Sequence, residues 1–396
     1  MVSEQYRAML GGKSVIRILS EFATKRGEEI GYDNVFDYSL GNPSVPVPEE
    51  FTECMIEMLK NSDPCSLHGY SPSLGIPSVR AAIAASLNER FGMNYGPEHI
   101  FMASGAAGAL AHAYRAVTKP GDEILTFAPY FPEYNPYVNL TGAVLKVVPP
   151  DTESFQINFD AFEEMLGEKV MAVLINTPNN PSGIVYSEET ILRLADILRK
   201  KEQEYGHDIF IISDEPYREL AYDGAVVPFV TKYYRNTAVC YSYSKSLSLP
   251  GERIGYLLIP DEMEEAKAVF SAAVIANRVL GCVNAPSLMQ RVIMRCVDAE
   301  GNVDAYDRNR NFLYNGLREC GFECIKPEGA FYLFMKTPAD EKEFCEKAKE
   351  HHVLVVPGSS FACPGYVRIA YCVSYEMIER SLPAFRAIAE YYGLTK

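Results

Sequence analysis

The spacing of apolar positions changes twice along the 396-residue chain. Over residues 3–30, Val15, Ile16, Ile18, Leu19 and Phe22 recur at helical spacing and predict one or two helices. A turn-rich break follows at Tyr38-Ser39-Leu40-Gly41-Asn42-Pro43-Ser44, with Pro46 and Pro48 behind it. Val79, Ala82, Ile83 and Leu87 predict an amphipathic helix over 77–91. From about 99 to 260, short apolar runs alternate with helical stretches; the runs are 99–103, 123–127, 143–148, 170–176, 209–213, 238–243 and 254–259. Most are apolar at nearly every position, as strands covered on both faces are. A largely parallel, doubly wound sheet with right-handed crossovers is expected. After Pro260 a long helical stretch runs to about residue 320, broken at 281–286. Runs at 322–325, 330–335, 353–356 and 366–370, then a helix over 375–392, read as a smaller sheet with helices. The expected organisation is an N-terminal segment 1–45 belonging to the small domain, a large domain 46–280, and a C-terminal small domain 281–396.

Composition narrows the class. With 48% hydrophobic and 22% charged residues the chain is globular. A net charge of −15 repels phosphate backbones and anionic lipid heads, which argues against nucleic-acid and membrane partners. No apolar stretch reaches the roughly 20 residues of a membrane-spanning helix. The start, Met1-Val2-Ser3-Glu4-Gln5-Tyr6-Arg7, lacks the apolar core of a signal peptide. The ten cysteines show no CxxC pair and no Cys/His cluster at zinc spacing. They read as free thiols in the cytoplasm, with no metal expected.

Ligands of open α/β sheets sit beyond the carboxyl ends of the strands, so the residues after each run carry the chemistry. Ser104-Gly105-Ala106-Ala107 opens a helix and lets backbone N–H groups approach an anion, although small residues also serve plain helix–sheet packing. Pro129-Tyr130-Phe131-Pro132 offers aromatic faces on a stiff loop, and is equally an ordinary Pro-rich turn. Asn180, in Asn179-Asn180-Pro181-Ser182-Gly183, presents an amide donor where turn formation alone is the plainer reading. Asp214 ends an apolar strand, where an unpaired carboxylate is expensive; it either caps the next helix or faces a cation. Lys245 lies in Ser242-Tyr243-Ser244-Lys245, with Arg253 downstream, an amine beside hydroxyls and a guanidinium. An anion nest, a flat aromatic, an amide, a carboxylate, the Tyr217 phenol and a lysine suit one ligand. It is a phosphorylated, planar, cationic heteroaromatic ring with a phenolic oxygen and an aldehyde: pyridoxal 5′-phosphate, held as a Schiff base on lysine.

These segments, with Leu40-Gly41-Asn42-Pro43 and Tyr70 with Gly75 before them and Val367-Arg368-Ile369 after them, keep one order along nearly the whole chain. The ordered set resembles the class I/II aminotransferases, the aspartate aminotransferase-like group of fold-type I pyridoxal-phosphate enzymes. The resemblance implies a large domain with a mostly parallel seven-stranded sheet between helices and a smaller α+β domain from both chain ends. It implies that Lys245 forms the Schiff base and moves the substrate proton, and that Asp214 pairs with the ring nitrogen. Asn180 and Tyr217 hydrogen-bond the phenolic oxygen, and Phe131 stacks on the ring. Gly105, Ala106, Ala107, Ser242, Ser244 and Arg253 hold the phosphate, with Tyr70 reaching it from the neighbouring subunit of a homodimer. Arg368 grips the substrate α-carboxylate, with Gly41 and Asn42 near it. The expected reaction is transfer of an amino group between an L-amino acid and a 2-oxo acid by a ping-pong mechanism.

The chain departs from some relatives at Ala107, where aspartate-specific ones carry a lysine. Arg278, ahead of Asn284-Ala285-Pro286, is a candidate reader of a distal carboxylate or a plain surface arginine. Ser14–Arg17 is a candidate lid over the site. The same fold also supports carbon–sulfur β-elimination and decarboxylation, because the cofactor serves whichever bond breaks. A non-catalytic, DNA-binding regulator is disfavoured by the acidic chain and by the short segment before Tyr38.

Overall fold

A computed structural model describes residues 2, 3, 6, 7, 10 and 15–394. Its strands are β1 (Phe36–Asp37), β2 (Ile100–Ala103), β3 (Glu123–Phe127), β4 (Val144–Val148), β5 (Val170–Asn176) and β6 (Phe210–Asp214). They continue with β7 (Thr237–Ser242), β8 (Gly255–Leu258), β9 (Tyr332–Lys336), β10 (Val353–Leu354), β11 (Val356–Pro357) and β12 (Tyr366–Ala370). Seven form one sheet in the order β2-β8-β7-β6-β5-β3-β4. The pairs from β4 through to β7 are parallel, and β8 runs antiparallel to both β7 and β2.

Alternation along the strands explains why this sheet is buried on both faces. Ala172 and Leu174 of β5 join Leu110, Ala113 and Tyr114 of the Gly105–Val117 helix on one side. Val173 and Ile175 join Ile191, Leu194 and Leu198 of the Glu188–Tyr205 helix on the other. Ser187 starts that second helix by accepting the Thr190 N–H. Register then brings polar strand ends side by side: Asn176 of β5 opposite Asp214 of β6, and Ser242 of β7 opposite Gly255 of β8.

The remaining strands form an antiparallel sheet, β11-β12-β9, and a parallel pair, β1-β10. Beside them Tyr38, Phe322, Phe331, Leu333, Phe344, Ile369 and Phe385 make a separate core, so residues from both chain ends meet here. Local expectations fare unevenly in this part. Segment 322–325 is no strand; Cys324 makes one isolated bridge to Met335, and Pro327 just beyond it has no N–H to extend a ladder. The run 353–356 splits, β10 pairing with β1 and β11 with β12. The two-residue β1 is too short to leave a periodic signal. The stretch after Pro260 is three helices, Ala266–Val279, Ser287–Arg295 and Val303–Glu319. The expected helix near the start is Val15–Ile30, and the rest of that reading falls partly outside the described residues.

The loop after β5 is docked on β9 through Gly183. Its φ is +72°, and a Cβ there would lie 2.5 Å from the Tyr332 carbonyl oxygen. Its own carbonyl accepts the N–H groups of Glu328 and Gly329, both at 2.8 Å. Gly183→Ala is therefore expected to lower the unfolding free energy by about 2 kcal/mol, measured by denaturant titration.

Candidate active site

The polar strand ends open into a cavity of about 290 Å³. Lys245 stands on the short Tyr243–Ser246 helix that follows β7. Its Nζ donates to the Gly41 carbonyl oxygen at 2.7 Å. Burial pushes this amine down to about 8; the Cys372 thiol opposes the shift, and Arg253 and Arg368 add to it. More of the lysine is then a neutral nucleophile near neutral pH than at an exposed site.

Asp214 ends β6 and is buried. Its Oδ2 accepts from the Tyr134 hydroxyl at 2.5 Å, while Oδ1 has no partner among the described residues. Burial raises its carboxyl to about 7, against the pull of the Tyr134 hydrogen bond, with Glu215 raising it further. Glu215 next to it is different: Ser213 and Arg218 satisfy it, Arg218 at 2.6 Å, as a buried structural pair. Asp214 alone has bonding capacity left for a ligand.

Asn176 sets the floor between the two strands. Its Nδ2 donates to the Asp214 carbonyl at 2.9 Å, and its Oδ1 accepts the Asn180 N–H at 2.7 Å. The Asn180 side chain accepts from Arg368 Nη1 at 3.0 Å. Arg368 also donates to the Ser39 carbonyl at 2.5 Å and lies between the rings of Tyr332 and Phe361, 4.7 and 5.0 Å from their centroids. Its Nε is buried without a partner among the described residues. The Tyr217 hydroxyl meets the Tyr332 hydroxyl at 2.9 Å.

At the other end Arg253, Ser242 and Ser244 stand by the start of the Gly105–Val117 helix, whose first N–H groups lack intrahelical partners. The two serine hydroxyls are 2.7 Å apart. Gly105 has a φ of +75°, which favours glycine, and a Cβ there would lie 2.9 Å from Arg253 Nη2, so the guanidinium of this cradle would have to shift.

Of the residues singled out from sequence, Gly41, Ala106, Ala107, Phe131, Asn180, Asp214, Tyr217, Ser242, Ser244, Lys245, Arg253 and Arg368 all line this one cavity. Gly105 borders it through Arg253. Asn42, Tyr70 and Arg278 do not line it; all three are exposed, Tyr70 at 91%. Of the candidate lid, Ser14 lies outside the described residues and Ile16 is part of the wall. Sequence reasoning missed Asn176, Tyr137 and Tyr332 in the wall and Tyr134 behind Asp214. Asn176 carried the signal that exposed Asp214, a polar residue closing an apolar strand.

Known proteins match the chain over most of its length. The family profile of aminotransferase class I and II covers residues 33–385. The chain belongs to the class I and II aminotransferases. An aspartate aminotransferase of Thermotoga maritima is 32% identical over 90% of this chain and 91% of its own. An aromatic-amino-acid aminotransferase of Thermococcus litoralis is 31% identical over 89% of this chain and 91% of its own. Among solved structures, an aminotransferase from Eubacterium rectale superposes with a TM-score of 0.96, 52% identity and 99% of both chains covered. Thermus thermophilus aspartate aminotransferase with maleate superposes with a TM-score of 0.87, at 27% identity, over 98% of this chain and 99% of that one. The enzyme is thus an aminotransferase of a pyridoxal-phosphate-dependent family with the aspartate aminotransferase fold. The lyase and decarboxylase alternatives are not favoured by these relatives.

The raised Asp214 gives a pH dependence in the cofactor-free aminotransferase. Between the unperturbed 3.8 and about 7 the unfolded chain has released a proton that the fold still holds. Asp214 therefore withdraws stability as pH rises through that window. In Asp214→Asn this loss is absent, so the variant should gain roughly 2 kcal/mol relative to wild type between pH 5 and pH 8 in denaturant unfolding.

Proposed function

We propose that the cavity holds pyridoxal 5′-phosphate on Lys245 and transfers an amino group between an L-amino acid and a 2-oxo acid in a ping-pong cycle. One observation carries the reading: an amine, a half-satisfied carboxylate and two guanidinium groups line a single cavity at the strand ends. The chain's own residues fit the cofactor. Asp214 Oδ1 lacks a donor among the described residues, as expected of a partner for a protonated ring nitrogen. The Gly105 cradle with Arg253, Ser242 and Ser244 suits a phosphate, together with the N–H groups of Gly105, Ala106 and Ala107. Asn180 and Tyr217 are the donors for the phenolic oxygen, and Phe131 is the cover for the ring face.

When bound, the cofactor supplies an electron sink next to the substrate Cα. Lys245 holds and then moves the proton at that carbon, and its lowered basicity suits it to both directions. Arg368 takes the α-carboxylate, pre-aimed by Ser39 and Asn180 and shielded from water by Tyr332 and Phe361, with Gly41 in the same cavity wall. The relatives' names point to aspartate and aromatic amino acids as donors. Ala107 offers no charge for a second carboxylate, which leaves that task to Arg278 across a subunit contact or to no residue.

We also read the enzyme as a homodimer. Tyr70, Ile275, Val279, Leu280 and Val283 are exposed large apolar residues, and Asn284 ties the 281–286 turn to Ser71 at 2.9 Å. Tyr70 is then free to reach the partner's phosphate. The domain division is proposed as 1–45 and 281–396 in a small domain and 46–280 in a large one, with one departure: Met289, Val292 and Ile293 of the Ser287–Arg295 helix pack in a core with residues of the large sheet. Ten free cysteines support a cytoplasmic setting, and no described helix is long and apolar enough to cross a membrane.

The test is single-turnover mixing of the yellow enzyme with each natural L-amino acid, following conversion to the pyridoxamine form. Lys245→Ala should lose both turnover and the yellow lysine-linked absorbance; retained activity overturns the assignment. Arg368→Ala should lower kcat/KM by about 100-fold or more, because two charge-assisted hydrogen bonds vanish. Sedimentation of the wild type should show a dimer.

A further inference from the structure

We propose that Tyr332 is a positioning residue joining the two ends of the site: its hydroxyl aims the Tyr217 phenol while its ring backs the Arg368 guanidinium. Tyr332 opens β9, and Tyr217 follows β6 of the large sheet, so the pair bridges the two sheet systems. Both side chains are buried, at 2% and 5% exposure, and their hydroxyls are 2.9 Å apart. Each hydroxyl has one proton to donate, and among the described residues neither has another hydrogen-bond partner. One proton of the two is taken up in the shared bond, and the other is free for the cavity. When Tyr332 donates, the free proton belongs to Tyr217, and the chained bond makes Tyr217 a stronger donor.

The same hydroxyl fixes the opposite wall. A Cβ on Gly41 would lie 2.0 Å from Tyr332 Oη, so the Gly41 backbone rests directly on it. The Gly41 carbonyl in turn accepts from Lys245 Nζ. The Tyr332 ring lies 4.7 Å from the Arg368 guanidinium carbon. The charged and titratable groups around the tyrosine pair are Arg368 and Cys372 from the β12 side and Asp214 from β6; Arg368, Cys372 and Arg253 surround Lys245.

This inference rests on the reading that Tyr217 faces the phenolic oxygen of a cofactor held on Lys245. A stronger Tyr217 donor stabilises charge on that oxygen and lowers the pH at which the lysine-bound chromophore loses its proton. Tyr332→Phe keeps the ring and removes the hydroxyl; Tyr332→Leu removes both. In Tyr332→Phe the spectral midpoint should rise by about 0.3 to 0.5 pH units, a fraction of one hydrogen bond's worth, because the Tyr217 bond remains but is no longer strengthened or aimed. Its affinity for succinate and 3-phenylpropionate, used as carboxylate probes, should stay within about twofold. In Tyr332→Leu the midpoint should rise equally and the affinity for these probes should fall roughly tenfold with loss of the cation–π contact. Adding Tyr332→Phe to Tyr217→Phe should move the midpoint no further. A Tyr332→Phe midpoint within about 0.2 units of wild type, or the full shift persisting without Tyr217, overturns the inference. A wild-type enzyme with no titrating chromophore, or a Lys245→Ala variant that keeps it, overturns the underlying site reading instead.

Discussion

A carboxylate at the end of a central strand, buried with one oxygen unpaired, is the constraint around which this enzyme is built. Taking such a group out of water costs several kcal/mol unless something returns its hydrogen bonds. Among the described residues Asp214 recovers one bond from Tyr134 and none for Oδ1, and burial lifts its carboxyl to about 7. Glu215, one residue on, shows what full compensation looks like, with Arg218 and Ser213 on its two oxygens. On the proposed reading, a cationic ring nitrogen would supply the missing donor at Asp214. Neighbouring strands hold the Asp214 backbone in place: Cys240 of β7 on one side and Asn176 of β5 on the other.

The electrostatics of the cavity run against those of the chain. The sequence carries a net charge of −15, yet among the described residues the charged ones lining the cavity are Lys245, Arg253 and Arg368 against Asp214. A ligand with a phosphate at one end and a carboxylate at the other balances that excess, and the surrounding acidity leaves the cavity as the place where an anion is welcome. Until such a ligand arrives, the two guanidinium groups help burial to depress the Lys245 amine. Binding and nucleophile activation thus draw on the same charges.

Much of this was legible residue by residue. Strands of the large sheet stood out because both faces are covered and nearly every position is apolar, so a polar residue at a strand end, such as Asp214, is conspicuous. Lys245 and Arg253 stood out by company, among hydroxyls. Tyr332 and Tyr134 did not, because a tyrosine in an apolar run reads as core, and the direction of its hydroxyl is invisible until two distant segments meet. The β1-β10 pairing was illegible for a similar reason: two residues carry no period, and their partners lie more than 300 positions away.

By itself the chain determined which segments become strands and helices, and which chemical groups the strand ends display. These depend on local spacing, since alternation and turn residues act over a few positions. Only the tertiary structure decided that Arg368, from β12, lies against Asn180 and the Ser39 carbonyl, and that Gly41 accepts from Lys245. It also decided which half of Asp214 remains open. Such contacts arise where two distinct sheets pack against one another, and their geometry is set by packing over the whole molecule, which no short stretch of sequence encodes.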